Sequence, residues 1–360
     1  MRYATSYDIG DRKRTEGINE DSLAVTVFEQ GHRNGYRSQS RTVESTDSER
    51  VELPENRGVA VFALADGAGG HEAGDVASYI AASVVCEELA GTALRVARSD
   101  PTPFDVTLET SPDEPGDDDL QATIGEAIVT AHRAIIEEVS TTGTSAYTTV
   151  VAGIAVGGSL HVGWVGDSRA YLVNRDRESI ARLTKDHAVV EELYDRGELD
   201  DVEAHVHPRS NEITRALGGT GREDPERATV EVETRTVPLY AEDVLLVTSD
   251  GLVDAQTDAP NLYDAYVDSG YSDDVGEHIR ERVVTDGDIR DVVLDAESLD
   301  SAAASVVSFA NDCGGKDNLS AILLQDETQP PTPTDADIAL RDVDVDSPVE
   351  DRETTIVRES

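Results

Sequence analysis

The chain has 360 residues, of which 74 are Asp or Glu and 30 are Lys or Arg, so its formal net charge at pH 7 is -44. This charge argues against a nucleic-acid or anionic-membrane surface, because both require a basic footprint. Only three of the positive residues are lysines. An acidic surface poor in lysine favours a protein of a high-salt cytoplasm over a merely acidic mesophilic one.

The cysteines and the N-terminus indicate the cell compartment. Cys86 and Cys313 lie far apart without metal-ligand spacing, so we expect neither a zinc site nor a disulfide framework. The N-terminal residues lack the apolar segment of a signal peptide. The uncharged stretch 147–166 is interrupted by Gly157-Gly158, which predicts a β-hairpin rather than a membrane span. We therefore expect a soluble, cytoplasmic protein that does not enter a membrane.

The first part of the chain predicts two strands and two helices. The seven apolar residues Val59–Ala65 predict a strand buried on both faces, and it ends in the glycine-rich turn that begins at Asp66. In chain order the predicted elements are a strand at 23–28, a polar loop insertion at 30–57, the strand at 59–65, a helix at 72–98, an acidic loop insertion at 99–118 and a helix at 120–139.

The second part predicts mostly strands. They fall at 148–156, 160–165, 170–173, 180–183, 230–237 (an exposed edge), 244–248 and 319–324, with helical and loop-like sequence at 184–219 and 256–310. Two helix pairs around antiparallel strands predict an α+β fold with four α-β-β-α layers, a central antiparallel β-sandwich flanked by helix pairs. We place this domain at 1–326 and expect an acidic, Pro- and Asp-rich disordered tail at 327–360.

Carboxylates recur beside the ends of these strands. They are Glu20-Asp21, Asp66-Gly67, Asp167, Asp250-Gly251 and Asp317. Any one of them is also typical of a turn. Together, without His or Cys, they form the ligand set of hard divalent ions such as Mn²⁺ or Mg²⁺. Two such ions about 3.5–4 Å apart would generate a hydroxide and bind a phosphoryl oxygen.

The motifs occur in a characteristic order. They are Asn19–Ser22, Asp66–His71, Gly166–Arg169, Leu183–His187, Thr214–Gly218, Ser249–Leu252 and Asp317-Asn318. This set, spread over about residues 3–326, resembles the bacterial-type branch of the metal-dependent type-2C protein serine/threonine phosphatases (the PPM family). The resemblance implies a β-sandwich flanked by helix pairs. It also implies that a hydroxide bridging two Mn²⁺ or Mg²⁺ ions attacks phosphoserine or phosphothreonine directly, without a phosphoenzyme.

The resemblance also implies a role for each carboxylate. The implied ligands are Asp66, which bridges both ions, the Gly67 carbonyl, Asp250 and Asp317, with Glu20 and Asp21 acting through bound water. Asp167 would join Asp250 at a third, weaker ion. Residues 184–219 match the mobile flap beside the family's active site.

Two positions depart from the family or stay open. Glu16 stands where the family has a phosphate-contacting Arg, so either Arg14 (or Arg12 or Lys13) replaces it or phosphate binding is weaker. His71 could donate a proton to the leaving alkoxide, or it could only orient the loop at the helix start.

Two other functions compete with a protein phosphatase. A catalytically weak relative could act as a regulated binding module, and Glu16 is the best support for it. The metal motifs would also suit a phosphatase of a small phosphorylated metabolite. As partners of a phosphatase we expect phosphoserine and phosphothreonine proteins and a cognate serine/threonine kinase pathway, with the chain itself a monomer.

Overall fold

The structure is a computed structural model that describes residues 1–14, 17–28, 58–68, 73–98, 116–334, 341–343 and 354–355. The predicted loop insertions lie almost entirely outside these residues and stay predictions. Within the described residues no helix is long and apolar enough to cross a membrane.

The strands follow the chain in this order: β1 (Arg2–Asp8), β2 (Asp21–Phe28), β3 (Val59–Ala68), β4 (Ala146–Thr148), β5 (Val150–Val156), β6 (Ser159–Val165), β7 (Arg169–Asn174), β8 (Ser179–Arg182), β9 (Leu217–Gly219), β10 (Val232–Pro238), β11 (Asp243–Thr248), β12 (Leu319–Gln325) and β13 (Thr354–Thr355). The helices are α1 (Gly74–Arg98), α2 (Asp117–Thr142), α3 (Val189–Asp195), α4 (Asp201–Val206), α5 (Ala259–Asp268), α6 (Asp273–Arg280), α7 (Asp286–Leu294) and α8 (Leu299–Asp312), with a 3-10 turn at Asp250–Leu252.

Two antiparallel sheets form the centre of the protein. One has the strand order β1-β12-β11-β7-β8, and the other has the order β13-β10-β6-β5-β3-β4-β9, with β2 paired to β3. Helices α1 and α2 cover the outer face of the larger sheet, and α7 and α8 cover the outer face of the smaller one. These four layers confirm the predicted α+β sandwich with its flanking helix pairs.

Strand β3 is buried on both faces, as its unbroken apolar run predicts. Val61 and Ala63 point to the helices α1 and α2, whereas Phe62 and Leu64 point between the sheets. All four side chains have no exposed surface. Burial of one such side chain contributes about 1.5–3 kcal/mol, so β3 is held rigidly up to its last residues. The strand therefore fixes the backbone at Asp66, where it reaches the end of the sandwich.

The helices α3 to α6 form a separate layer, which we call the flap module. Helix α4 buries Val202 and Val206 against Leu262 and Tyr266 of α5 and against residues of α6. This apolar cluster belongs to none of the three clusters in the sandwich layers. The α4 part of the flap predicted at 184–219 is thus packed on two later helices.

Several predicted boundaries and strand types change. Strand β1 was not predicted, because Ala4 is its only buried side chain and its apolar pattern is correspondingly weak. The predicted edge strand at 230–237 is β10, which lies inside the larger sheet between β6 and β13. The loop predicted at 99–118 ends earlier, because α2 begins at Asp117, where acidic residues in the first turn complement the helix dipole. The hairpin of β5 and β6 is confirmed.

Two stretches of the predicted disordered tail contact the sandwich. Thr332 accepts a hydrogen bond from the Asn174 amide at 2.9 Å. Arg341 makes two hydrogen bonds to the Asp243 carboxylate, at 2.5 and 3.0 Å, and both side chains are buried. The prediction of a disordered tail from residue 327 therefore does not hold for 327–334 and 341–343, and the domain limit at 326 stays a proposal.

We predict that Arg341→Ala destabilises the fold. Removal of one partner leaves the Asp243 carboxylate buried without its cation, which costs about 3 kcal/mol. Arg177→Ala is the matched control, because Arg177 donates to Pro333 in the same tail from an exposed position. It should cost less than about 1 kcal/mol. Chemical denaturation of both variants measures the difference, and equal stability of the two would show that the Arg341 contact is absent in solution.

Candidate metal centre

The predicted carboxylates converge at one end of the sandwich, and they come from both sheets. Asp21 and Asp66 are register partners in β2 and β3 of the larger sheet. Asp250 directly follows β11, and Asp317 lies two residues before β12, its neighbour in the smaller sheet. The Ser249 hydroxyl donates to the Asp21 carboxylate at 2.8 Å and so joins the two sheets at this point.

The backbone of Asp66 is fixed by two threonines. Its N–H donates to the Thr149 hydroxyl at 3.0 Å. Its carbonyl accepts from the Thr149 N–H at 2.9 Å and from the Thr148 hydroxyl at 2.8 Å. These hydrogen bonds fix the backbone of Asp66, so that only its side chain can move. A preorganised ligand requires such a fixed backbone.

Gly67 is required by the close approach of two other segments. A Cβ at this position would lie 2.2 Å from the Gly74 carbonyl oxygen and 2.7 Å from that of Glu20. The Gly67 N–H donates to the Glu20 carbonyl at 3.2 Å. A glycine therefore lets the start of α1 and the Glu20 segment both reach the end of β3.

Asn318 connects three further segments. Its side-chain oxygen accepts from the Glu20 N–H at 2.9 Å, and its amide donates to the Ile9 carbonyl at 3.0 Å. Its own N–H donates to the Asp317 carboxylate at 2.6 Å. Asn318 thus positions Glu20 and Asp317 relative to each other.

Crowding of the carboxyls changes their protonation. Desolvation, together with the charges of Asp21 and Asp250, raises the pKa of Asp66 well above its usual value. Desolvation and the neighbouring charges of Asp254 and Asp317 raise the pKa of Asp250 to about 7. Desolvation, opposed by hydrogen bonds from serine hydroxyls, raises the pKa of Asp21 to about 6. The Asp66 carboxyl is hydrogen-bonded to those of Asp21 and Asp250, so shared protons can hold this cluster together.

The same atoms suit a hard divalent cation. Oδ1 of Asp21 and Oδ1 of Asp250 are buried and lack a hydrogen-bond partner. A buried, unpaired carboxylate oxygen is costly, and Mn²⁺ or Mg²⁺ would satisfy it. Among the described residues no three His, Cys, Asp or Glu side chains already converge on one point that could hold an ion.

Asp167 lies at the edge of this cluster. Its pKa is raised well above the usual value by desolvation and then by the charge of Asp250. His187 fixes the turn before Asp167 through two hydrogen bonds to Gly166. Its ring Nδ1 accepts from the Gly166 N–H at 3.0 Å, and its backbone N–H donates to the Gly166 carbonyl at 3.0 Å. Gly166 has a φ of +108°, which requires glycine. Asp167 therefore lies where the charge of Asp250 acts on it, and its role at a third ion stays a prediction.

Asp254 is a carboxylate of the site that the sequence analysis missed. It follows Asp250 by one helical turn, and its N–H donates to the Asp250 carbonyl at 2.8 Å. Desolvation raises its pKa, and the Lys316 ammonium at 3.6 Å opposes the rise. Its spacing of four residues from Asp250 places the two residues one helical turn apart, and this spacing could have identified Asp254 in the sequence.

The flap module is attached to the site by buried ion pairs. Asp186 binds the Arg169 guanidinium through contacts of 2.7–3.1 Å and the Arg182 guanidinium at 2.5 Å. Lys185 is fully buried and pairs with Asp195 of α3. These charges hold the base of the flap beside the Gly166–Arg169 turn.

An open pocket of about 430 Å³ adjoins the carboxylates. Its lining residues are Arg12, Lys13, Gly17, Ile18, Glu20, Lys316 and Asp317. Arg14 does not line it and instead pairs with Asp8 at 3.1 Å and with Asp11 at 2.8 Å. Arg14 is thus paired away from this pocket, and its contact with the phosphate stays a prediction. Glu16 and His71 lie outside the described residues, so the two interpretations of His71 both stay open.

Comparison with known proteins decides the family. The model of the protein phosphatase 2C family matches residues 45–323, most of the chain. The chain belongs to the protein phosphatase 2C family. It is 29% identical over 265 residues to the serine/threonine phosphatase stp of Listeria innocua, covering 74% of this chain and 84% of that protein.

Solved structures agree with this assignment. The Mycobacterium tuberculosis serine/threonine phosphatase PstP/Ppp is 26% identical with a TM-score of 0.57, over 89% of this chain and 97% of that one. The catalytic domain of PstP in complex with two manganese ions is 26% identical with a TM-score of 0.55, over 89% and 96%. The predicted enzyme class, a metal-dependent serine/threonine phosphatase of the 2C type, is thereby confirmed.

We predict an unusual pH dependence of stability for the metal-free phosphatase. The ordinary pKa of Asp250 is near 3.8, and its value in the folded state is raised to about 7. At pH values between these two, the folded state binds a proton that the unfolded state releases. This contribution is fully present below pH 4 and is lost as the pH rises through 7. Asp250→Asn should therefore reduce the loss of stability between pH 5 and 8 by roughly 2 kcal/mol.

Unfolding with a chelator at both pH values measures this change. Asp268→Asn removes the same charge from an exposed position on α5 and serves as the control. If both variants follow the wild-type pH dependence, the Asp250 carboxyl does not bind a proton in the folded state.

Proposed function

We propose that this chain hydrolyses phosphoserine and phosphothreonine in proteins in a single step that depends on two divalent ions. One observation carries the proposal. Hard oxygen ligands from two sheets meet at one end of the sandwich, next to an open pocket with three cationic side chains. Such a pocket suits a dianionic phosphate group beside a metal centre.

The proposed ligands are those implied by the sequence. Asp66 would lie between two Mn²⁺ or Mg²⁺ ions, and Asp250, Asp317 and the Gly67 carbonyl would complete their protein ligands. Held by these residues, the two ions would activate water as the nucleophile and would neutralise charge on the phosphoryl group. Glu20 and Asp21 would orient water at the ions through their carboxylates.

A third, weaker ion is proposed between Asp167 and Asp250. The charge of Asp250 is among the causes of the raised pKa of Asp167, and an added cation would relieve this repulsion. The relative with two manganese ions supports Mn²⁺ as the metal at the first two sites.

The cysteines support hydrolysis without a covalent phosphoenzyme on sulfur. Burial raises the pKa of the Cys86 thiol to about 12, and burial also raises the pKa of Cys313. A thiol with a raised pKa carries little thiolate at neutral pH and is a poor nucleophile. The attacking group is therefore proposed to be water activated at the metal centre.

The cellular setting remains part of this proposal. Phosphoproteins modified by a serine/threonine kinase pathway would be the substrates, in the cytoplasm of a halophile, with the enzyme acting as a monomer. The net charge of -44 supports a high-salt setting. The openness of the pocket favours a protein substrate over a small metabolite, and the complete set of carboxylates favours an enzyme over a binding module.

We predict Mn²⁺-dependent hydrolysis of a phosphothreonine peptide in molar salt. Asp250→Asn should lower kcat by more than about 100-fold, because loss of a direct ligand costs more than the 10- to 100-fold typical of its supporting residues. Asp268→Asn should leave kcat unchanged, since that side chain is exposed on α5.

Phosphate release with and without Mn²⁺ measures both variants. Lack of metal-dependent turnover by the wild type would contradict the enzyme proposal. Full activity of Asp250→Asn would contradict the ligand assignment, and faster turnover of a phosphorylated metabolite would favour the alternative substrate.

A further inference from the structure

Positive charge is concentrated in the pocket beside the carboxylates. The chain has only three lysines, and two of them, Lys13 and Lys316, line this pocket together with Arg12. The third, Lys185, is buried beneath the flap. In a chain with a net charge of -44, this placement indicates a specific need for cations at the pocket.

Lys13 is held over Asp317 by a tight turn. The Lys13 N–H donates to the Gly10 carbonyl at 3.1 Å, and the Lys13 carbonyl accepts from the Gly17 N–H at 2.7 Å. Gly10 has a φ of +84°, and a Cβ there would lie 2.2 Å from the Asp317 carbonyl oxygen. The turn is therefore pressed against the backbone of Asp317, and the Lys13 ammonium forms an ion pair with the carboxylate of that residue.

Two other nearby cations, Lys316 and Arg14, are engaged differently. Lys316 binds Asn211 of the flap segment at 3.0 Å and Asp254 at 3.6 Å. Arg14 is 55% exposed and pairs with two carboxylates that do not line the pocket. Lys13 is 34% exposed, so its ammonium is accessible from the pocket while it contacts a proposed metal ligand.

We propose that Lys13 is the residue that contacts the substrate phosphate, and that it pairs with Asp317 until substrate and metal arrive. The substrate part of this inference rests on the proposed function. A phosphate dianion in the pocket would face the carboxylates of Glu20 and Asp317, and a cation between them offsets the repulsion. A lysine suits this exchange, because its flexible stem and compact ammonium can move between two acceptors.

Two separate effects are expected from the loss of Lys13. Lys13 should favour phosphate binding, so its loss should raise KM for a phosphopeptide more than it lowers kcat. Lys13 should also compete with a metal ion for Asp317, so its loss should tighten Mn²⁺ binding. A purely structural lysine would not produce the KM effect, and tighter metal binding reports the contact of Lys13 with Asp317.

Lys13→Met tests both effects, because methionine keeps most of the length of the lysine side chain but removes its charge. In the full-length protein we expect KM for a phosphothreonine peptide to rise about 10-fold, the usual value of one charge-assisted hydrogen bond. We expect Mn²⁺ to bind several-fold more tightly in calorimetry without peptide. Lys13→Arg should restore most of the KM, and thermal unfolding checks that each variant is folded.

Arg14→Met is the matched control, since Arg14 is adjacent in sequence but does not line the pocket. It should leave both KM and Mn²⁺ affinity unchanged. A higher KM for Arg14→Met with an unchanged KM for Lys13→Met would overturn the phosphate assignment. Unchanged or weaker Mn²⁺ binding by Lys13→Met would overturn the pairing with Asp317. Wild-type protein without turnover would contradict the proposed function, and the calorimetry would still decide the metal competition.

Discussion

Mutual repulsion of carboxylates at one end of the sandwich is the constraint on which the rest of the structure depends. Asp66 lies within hydrogen-bonding reach of both Asp21 and Asp250, and each of the three has a raised pKa. A fold tolerates such crowding only where packing elsewhere is strong. The doubly buried strand β3 and the serine and threonine hydroxyls around its end supply that rigidity. Because the carboxylates are held close together, their repulsion favours the binding of a divalent cation that replaces the shared protons.

The few positive charges of the chain are distributed in a way that complements this constraint. Buried cations such as Lys185 fix the base of the flap, where they pair with flap carboxylates. Accessible cations line the open pocket, where the proposed function places the phosphate. The flap itself rests on α5 and α6 through an apolar cluster and through Tyr266, whose hydroxyl donates to Asp200 at the start of α4. The position of the flap segment therefore depends on the packing of this additional module.

The sequence predicts those features that residue types decide locally. An unbroken apolar run predicts β3, and carboxylates beside strand ends predict the cluster at the end of the sandwich. It does not predict β1, whose burial comes from one alanine, nor the docking of Arg341 in the tail, whose partner Asp243 is about a hundred residues away. Among the consecutive cations Arg12, Lys13 and Arg14, residue type could not identify the one over the site. That choice depends on the turn at Gly10 and its contact with the Asp317 backbone, which are properties of the folded chain.

The most direct test of the central claim is anomalous diffraction at the manganese edge from crystals grown with Mn²⁺. We predict two peaks about 3.5–4 Å apart, with the Asp66 carboxylate between them and the carboxylates of Asp250 and Asp317 on their far sides. Absence of a peak at this end of the sandwich, or manganese bound only elsewhere on the acidic surface, would contradict the account.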